Sequence, residues 1–183
     1  AHPQLMFYRK DLFAKHGLSV PKSWDDVARA GKVIKQKEGI GGLACYYGAD
    51  GNRQNLFIWL NYLWAAGADV FDTQMKPAWA TPAGLKATRD YVALHTQHNI
   101  CGGGAVSNVE QDARIQFSQG KAAMIPVWWW AYSGFSNPNQ SKLDKSKVAF
   151  TGMPSYQGKT VTYAISMPFS ISQHSKHQDA AWE

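Results

Sequence analysis

Apolar residues recur at helical spacing in several long segments of the chain, and short apolar runs lie between these segments. After Ser23, for example, Val27, Val33 and Ile34 form one apolar stripe among charged residues. Similar patterns predict three further long helices and a short helix over Arg9–His16. Three pairs of residues predict helix starts: Ser23 with Asp26, Thr81 with Pro82, and Ser107 with Glu110. Gly17, Gly67 and Gly120 are predicted helix ends, and the helix that starts at Thr81 runs to about His98.

Short apolar runs bounded by glycine or polar residues predict β-strands between these helices. The runs are Leu5–Tyr8, 41–48 (GGLACYYG), 122–127 (AAMIPV), 147–154 (KVAFTGMP) and 161–172 (VTYAISMPFSIS). Helices and strands therefore alternate along the chain, and no internal repeat or low-complexity linker divides it. This order predicts an α/β fold with a mixed sheet flanked by helices.

The length and composition fit a globular domain with a core of its own. At 183 residues the chain suggests one domain, or one and a fraction. An aromatic content of 13% is high, whereas 45% hydrophobic and 17% charged residues are ordinary values. The net charge of +6 could indicate nucleic acid, but the lysines and arginines are scattered without a dense block. A general solubility charge fits better, so no nucleic-acid partner is predicted.

Several features bear on the cellular compartment. No run of 18 apolar residues is present, so no membrane span is predicted, and no secretory signal is visible. Because the sequence begins within a predicted strand and stops in an opening helix, we expect a piece of a longer chain, and a missing signal then carries no information. Cys45 and Cys101 either form one bridge in an oxidising compartment or remain two buried thiols.

Trp128, Trp129 and Trp130 form a run of three adjacent tryptophans. A strand sends the middle ring to the opposite side from its neighbours, and a helix spreads the three rings over roughly 200°. One face of a regular element therefore cannot bury all three rings, and tryptophan is seldom fully buried. We expect at least one ring to form an aromatic platform at a groove or in solvent. The alternative is a core corner with one ring flat on the surface.

Motifs for catalysis and for metal or cofactor binding are absent from the sequence. The run CGGGA (101–105) lacks the lysine of a P-loop and the spacing of a dinucleotide site, and the six histidines have no metal-ligand spacing. No G-x-S-x-G or H-E-x-x-H motif occurs. Two glycosidase acids need only meet in space, so a carbohydrate-active enzyme with unrecognised catalytic carboxylates is the alternative function. We predict no enzyme activity, no metal and no cofactor.

Two predicted strand-to-helix junctions combine aromatic rings with hydrogen-bonding side chains. One is YYGADGNRQN (46–55), and the other contains the three tryptophans. Such junctions lie at the edge of a cleft in α/β folds. A sugar or polyol presents C–H groups to rings and hydroxyls to amides, carboxylates and guanidinium groups, so it is the predicted ligand. For Arg53, a solvated arginine in the first helical turn is the competing interpretation. The candidate residues of the first junction are Tyr47, Asp50, Arg53, Gln54 and Asn55.

Four segments, taken in order, resemble the extracellular solute-binding proteins of ABC importers, in particular their sugar and polyol group. The segments are LMFYRKDLFAKHGLSVPKSWDDV (5–27), YLWAAGADVFD (62–72), FSQGKAAMIPVWWW (117–130) and SISQHSKHQDAAWE (170–183). The resemblance implies a periplasmic-binding-protein-like fold of two α/β lobes that close around one ligand. It also implies a membrane permease as partner, and a location in the periplasm, or outside the cell on a membrane anchor in single-membrane bacteria.

The same resemblance implies which part of the two-lobed fold this chain represents. Residues 1–8 correspond to a hinge strand entering the second lobe, and residues 9–160 to the lobe itself. Residues 161–172 correspond to the strand returning through the hinge, and residues 173–183 to the start of a helix of the missing first lobe. Without that lobe, we expect weak sugar binding and self-association through the exposed cleft face.

The family's ligand contacts fall on residues already singled out. Its stacking aromatic corresponds to the run Trp128–Trp130, in which we expect Trp128 or Trp130 to be the floor for the sugar. Met167 stands where the family often has a tryptophan, and Tyr163 is the candidate for the missing aromatic. The family's polar contacts correspond to Arg53, Gln54 and Asn55.

Overall fold

Helices and strands alternate through the described part of the chain, residues 1–50 and 52–182 of a computed structural model. The helices are α1 (Lys10–Lys15), α2 (Trp24–Glu38), α3 (Gln54–Ala65), α4 (Pro82–Thr96), α5 (Glu110–Ser118), α6 (Ala131–Phe135) and α7 (Gln178–Trp182). The strands are β1 (His2–Arg9), β2 (Met124–Trp128), β3 (Val148–Thr151) and β4 (Ala164–Ile165). This order confirms the predicted α/β class. Glu183, the last residue of the predicted final helix, lies outside the described residues.

Most of the predicted helix caps form. The Ser23 side chain accepts a hydrogen bond from the Asp26 N–H, and the Asp26 carboxylate accepts one from the Ser23 N–H, so a reciprocal cap starts α2. The Thr81 hydroxyl accepts from the Gly84 N–H at the start of α4. Gly120 has a φ of 73° just after α5, in the left-handed region that glycine adopts without strain. The short α6, which follows the tryptophans, was not predicted.

The predicted start of α5 is wrong. Ser107 was expected to cap the helix with Glu110, but its hydroxyl instead donates to the Gly104 carbonyl in a preceding turn. The helix begins after Val109, whose N–H donates to the Asp112 carboxylate at 3.0 Å. Valine has no side-chain acceptor to return the bond. The acidic residue that closes the first turn is therefore Asp112, two positions later than the expected one.

The strand β1 lies between two antiparallel neighbours. Phe7 is opposite Ile125 of β2 on one side and Phe150 of β3 on the other. At the opposite end of β1, His2 pairs with Ile165 of β4. The sheet order is therefore β2–β1–β3, with β4 joined to the first residues of β1.

The predicted strand over residues 41–48 does not form. The segment makes single parallel bridges, Gly41 to Ala122 and Leu43 to Cys101. The Ala44 N–H donates to the Met124 carbonyl at 2.8 Å, and in a parallel ladder the next bond would come from the N–H of residue 126. That residue is proline and has no N–H, so the ladder ends there. The parallel bridges still make the sheet region mixed, as predicted.

The predicted strand over residues 161–172 is reduced to Ala164–Ile165. Ile165 pairs with His2, the first residue of β1, so the residues that follow have no part of β1 to pair with. Met167 and Phe169 are 62% and 104% exposed, which leaves two large apolar side chains uncovered on this segment.

One hydrophobic core joins the sheet to the helices. Met6 and Phe7 of β1, Ile125 of β2, Ile34 of α2 and Phe117 of α5 are all completely buried within it. No helix in the described ranges is long and apolar enough to cross a membrane.

Cys45 and Cys101 form a disulfide, with their Cα atoms 5.4 Å apart. Of the two alternatives left open by the sequence, the structure therefore contains the bridge. It links two neighbouring extended segments that share the bridge between Leu43 and Cys101. The half-cystines are 56 positions apart, so the bond closes a long loop.

We expect the double substitution Cys45→Ala/Cys101→Ala to lower the free energy of unfolding by a few kcal/mol. Chain-entropy arguments for a loop of this length give about 4 kcal/mol. Urea unfolding with and without reductant measures the effect, and reductant should leave the double variant unchanged. Thiol titration of the denatured, unreduced protein should find no free thiol; two free thiols would contradict the bridge.

Candidate functional site

The three adjacent tryptophans end up in different environments. Trp128 is the last residue of β2 and only 2% exposed, whereas Trp129 and Trp130 are 45% and 39% exposed. The chain leaves the strand after Trp128 and turns into α6, so the run does not share one face. The prediction that at least one ring faces solvent is confirmed.

Trp128 does not offer the open ring face expected of a sugar floor. Its Nε1–H donates to Gln54 Oε1 at 2.9 Å. Phe57 and Tyr163 pack edge-on against it, with ring centroids 5.6 and 5.9 Å away. The ring is buried because β2 lies against β1 and α3 at this point. Trp128 therefore connects Gln54 to Tyr163 and acts as a supporting residue. Trp129 and Trp130 remain the candidates for the aromatic platform.

Trp129 lies against the first residues of β1. Its Nε1–H donates to His2 Nδ1 at 2.9 Å, and the two rings are nearly parallel with centroids 5.9 Å apart. Its backbone N–H donates to the Pro3 carbonyl. The ring thus continues the contact between β2 and β1 beyond the last strand residue, while nearly half of its surface remains exposed.

Trp130 lines a cavity of about 330 Å³ between α5 and α6. The Arg114 guanidinium carbon lies 5.1 Å from the ring centroid, a cation–π contact. The polar side chains that line the cavity with these two residues are Gln111, Ser118, Ser133 and Gln140. Ile115, Ala131 and Phe135 complete its wall, so Trp130 is the ring of the run that combines partial exposure with a cavity of mixed polar and apolar lining.

The guanidinium group of Arg114, which faces Trp130, forms an ion pair with a buried carboxylate. Arg114 Nε lies 2.8 Å from Glu110 Oε1, although the angle is poor for a hydrogen bond. Glu110 is 6% exposed. Burial raises the pKa of its carboxyl above the ordinary value, against the opposing effect of Arg114, and the negative charge of Asp50 raises it further.

The first junction forms an exposed turn ahead of α3. Asp50 accepts from the Asn52 N–H through its side chain and from the Arg53 N–H through its carbonyl. Arg53 precedes α3 with a φ of 53° and is exposed, as the competing interpretation of a solvated arginine requires. Gln54 is the member of this junction that reaches the tryptophan run, through Trp128.

Tyr47 and Asn55 belong to a different cavity, of about 300 Å³, between α3 and α4. The Asn55 amide donates to the Tyr47 carbonyl, and the Tyr47 hydroxyl donates to the Tyr91 carbonyl. Burial raises the pKa of the Tyr47 hydroxyl above its ordinary value. Leu56, Trp59, Trp79 and Val92 complete a mainly apolar wall. The structure thus separates these two predicted residues from Trp130.

Sequence reasoning missed the residues that surround Trp130. Glu110 was assigned a capping role only, and Arg114 was not considered. The spacing of an acid four positions before an arginine on a helix is the signal that could have identified the pair. Among the described residues, no group of three or more His, Cys, Asp or Glu side chains could hold a metal ion.

We expect Trp128→Ala to destabilise the fold more than Trp130→Ala does. Truncating a buried tryptophan typically costs about 3–5 kcal/mol, whereas a ring that is 39% exposed gives up less burial. Urea unfolding of both variants, with Trp182→Ala as a matched control at an 85% exposed position, measures the difference. Equal losses at positions 128 and 130 would contradict the burial described above.

Comparison with known proteins covers the whole chain. The family model for bacterial extracellular solute-binding proteins matches residues 1–183. The mannitol-binding protein of Pseudomonas aeruginosa is 28% identical over 99% of this chain and 42% of its own length. A putative binding protein of Brucella abortus is 25% identical over 100% of this chain and 43% of its own length. The chain therefore spans less than half the length of these relatives.

Solved structures of solute-binding proteins are also similar to this chain. Maltose-bound MalE3 of T. maritima superposes with a TM-score of 0.78 at 31% identity, over 88% of this chain and 41% of that one. A solute-binding protein of an ABC transporter from Agrobacterium vitis with bound D-mannitol gives 0.75 at 31% identity, over 86% and 38%. Coverage of about two fifths of each solved chain fits the predicted single lobe. The chain belongs to the bacterial extracellular solute-binding protein family.

Proposed function

We propose that the chain is the ligand-facing second lobe of an ABC-importer solute-binding protein that captures a sugar or polyol. The observation that carries the proposal is Trp130, a partly exposed ring beside a cavity lined by amide, hydroxyl and guanidinium groups. The mannitol-binding relative and the solved structures with bound D-mannitol and maltose support this ligand class.

The chemistry of the Trp130 cavity suits a polyhydroxylated ligand. A sugar or polyol can place C–H groups on the indole while its hydroxyls exchange hydrogen bonds with polar side chains. Arg114 covers part of the ring, so the ligand would use the remaining exposed surface. Trp129, Arg53 and Asp50 would provide further contacts to the ligand from the solvent-exposed surface. Gln54 and Tyr163 would act through Trp128, and Tyr47 with Asn55 would contact only a ligand that extends toward α3 and α4.

The path of the chain supports a hinge at the β4 end of β1. His2 and Pro3 pair with Ile165 and Ala164, so the entering and the returning segments run side by side. We infer that residues 1–8 and 161–172 are the two crossing segments between lobes, with 9–160 as the lobe between them. Residues 173–183 would then begin the other lobe, which would cover Phe169.

The family and the disulfide support a proposal for the location of the protein, and the family supports one for its partner. An extracellular family is consistent with a bridge between Cys45 and Cys101, because such bridges persist in oxidising compartments. We propose the periplasm, or the outer face of a single membrane with an anchor, and a membrane permease that accepts the solute.

We propose binding without catalysis. Glu110, the acid that lies 2.8 Å from Arg114 of the Trp130 cavity, is only 6% exposed. A glycosidase needs both carboxyl groups at the scissile bond, which a buried, ion-paired acid does not reach. Incubation with oligosaccharides should release no new reducing ends; their release would favour the carbohydrate-active enzyme.

In the full-length protein, we expect Trp130→Ala to weaken binding of mannitol or maltose at least about tenfold. Stacking on an aromatic ring contributes on the order of 1 kcal/mol or more, and a tenfold change corresponds to about 1.4 kcal/mol. Titration calorimetry measures the affinity, with Trp79→Ala in the other cavity as a matched control. If the Trp130 variant binds the ligand as tightly as the parent does, for whichever of the two ligands the parent binds, then Trp130 is not part of the binding site.

For the 183-residue chain alone, we expect a folded domain that binds sugar in the millimolar range or more weakly. One lobe buries much less of the ligand than the 70–90% typical of a closed site. Its cleft face, with Trp129 and Trp130 exposed, should promote self-association. Calorimetry and light scattering test both parts. Micromolar binding by a monomeric chain would show that the site needs no second lobe.

A further inference from the structure

One face of α3 carries four side chains that contact other parts of the chain. Gln54, Phe57, Asn61 and Trp64 are spaced by three, four and three residues, so they lie in a row along the helix. Gln54 holds the indole N–H of Trp128 at one end of the row. The remaining three contact the two crossing segments defined above.

Asn61 hydrogen-bonds to both crossing segments at once. It is 2% exposed. Its Nδ2 donates to Gln4 Oε1 of β1 at 2.9 Å, and its Oδ1 accepts from the Tyr163 N–H at 2.6 Å. Gln4 is completely buried, and its own N–H donates to the Tyr163 carbonyl at 3.2 Å. One amide side chain therefore joins the entering strand, the returning segment and α3.

Tyr163 is also held through its ring. Phe57 stacks on it with centroids 4.3 Å apart and planes 9° apart, and Trp64 stacks with values of 5.8 Å and 11°. Apart from the bond from the Gln4 N–H to the Tyr163 carbonyl, the returning segment pairs with β1 through two residues, Ala164 and Ile165. So short a pairing is marginal by itself, so the contacts with α3 add a needed restraint on this segment.

We propose that Asn61 is a positioning residue that couples the position of the two crossing segments to the position of the Trp128 ring. Through α3, a shift of either crossing segment would move Gln54 and with it the indole at the base of the tryptophan run. The significance of this coupling for ligand capture rests on the proposed function, because only there do the segments act as a hinge. The coupling itself concerns this chain alone.

The chemistry of the site requires an amide or a group that resembles it. Removal of the side-chain oxygen leaves the partly buried Tyr163 N–H without its acceptor, and removal of the nitrogen leaves Gln4 Oε1 and the Phe57 carbonyl without their shared donor. Gln4 Nε2 is buried and has no partner. If the Gln4 amide turned over, this spare donor could serve a carboxylate at position 61. Asn61→Asp can therefore keep both links to the crossing segments and loses only the bond to the Phe57 carbonyl within α3, whereas Asn61→Leu keeps none of the three.

Hydrogen exchange in the 183-residue chain, without ligand, tests the coupling. In Asn61→Leu we expect the Tyr163 amide and the Trp128 indole N–H to exchange at least about tenfold faster, each normalised to the Ile34 amide in the buried middle of α2. The normalisation removes any general loss of stability. Thr88→Val, which breaks a partly buried bond to Trp59 on the other side of α3, is the matched control and should leave both ratios unchanged.

Asn61→Asp should restore both ratios to within about threefold of the unsubstituted chain. Leucine and aspartate both have nearly the size and shape of asparagine, so a difference between the two variants reports the hydrogen bonds and not the volume of the side chain. If Tyr163 accelerates but Trp128 does not, Asn61 holds only the returning segment and the coupling is wrong. Unchanged ratios at both sites in Asn61→Leu would overturn the proposal entirely. None of these outcomes depends on a sugar, so a failure of sugar binding would count against the proposed function and leave this result standing.

Discussion

The pairing of β1 on both of its sides is the constraint on which the other elements depend. Residues Gln4–Arg9 of β1 fix the register of β2 and β3, and Met6 and Phe7 are completely buried in the core. The strand also carries Gln4, which links it to α3, and His2, which meets Trp129. A shift of β1 by one residue would turn each of its side chains to the opposite face of the sheet and break these links together.

The same constraint explains why adjacent tryptophans behave differently. Trp128 is opposite Gln4 in the register of β2 with β1, so its surroundings are set by the sheet and by α3. Trp129 and Trp130 lie beyond the last pair, where the chain turns into α6 and exposure is allowed. The proposed site therefore combines a rigid inner ring with two outer rings on a turn, which is a common way to place recognition groups on a stable scaffold.

Local signals in the sequence predicted much of the fold, and long-range contacts account for the errors. The reciprocal cap of Ser23 and Asp26 was predictable because both partners lie within one turn. Whether residues 41–48 form a strand depends on the residue that lies opposite them, and that residue, Pro126, is distant in sequence. Within the candidate site, an exposed ring in the run was predictable, but the choice between Trp128 and Trp130 required knowledge of where α3 packs. Tyr47 and Asn55 were grouped with the tryptophans because they are close in sequence to Gln54, yet they point to another cavity.

The bridge between Cys45 and Cys101 makes the stability of this chain depend on the redox state of its surroundings. In a reducing compartment the thiols stay apart, and the long loop between them is then unrestrained. The folded population is lower under those conditions, whereas oxidation closes the loop and makes unfolding less frequent. One covalent bond thus makes the lifetime of the folded chain a function of the redox potential around it.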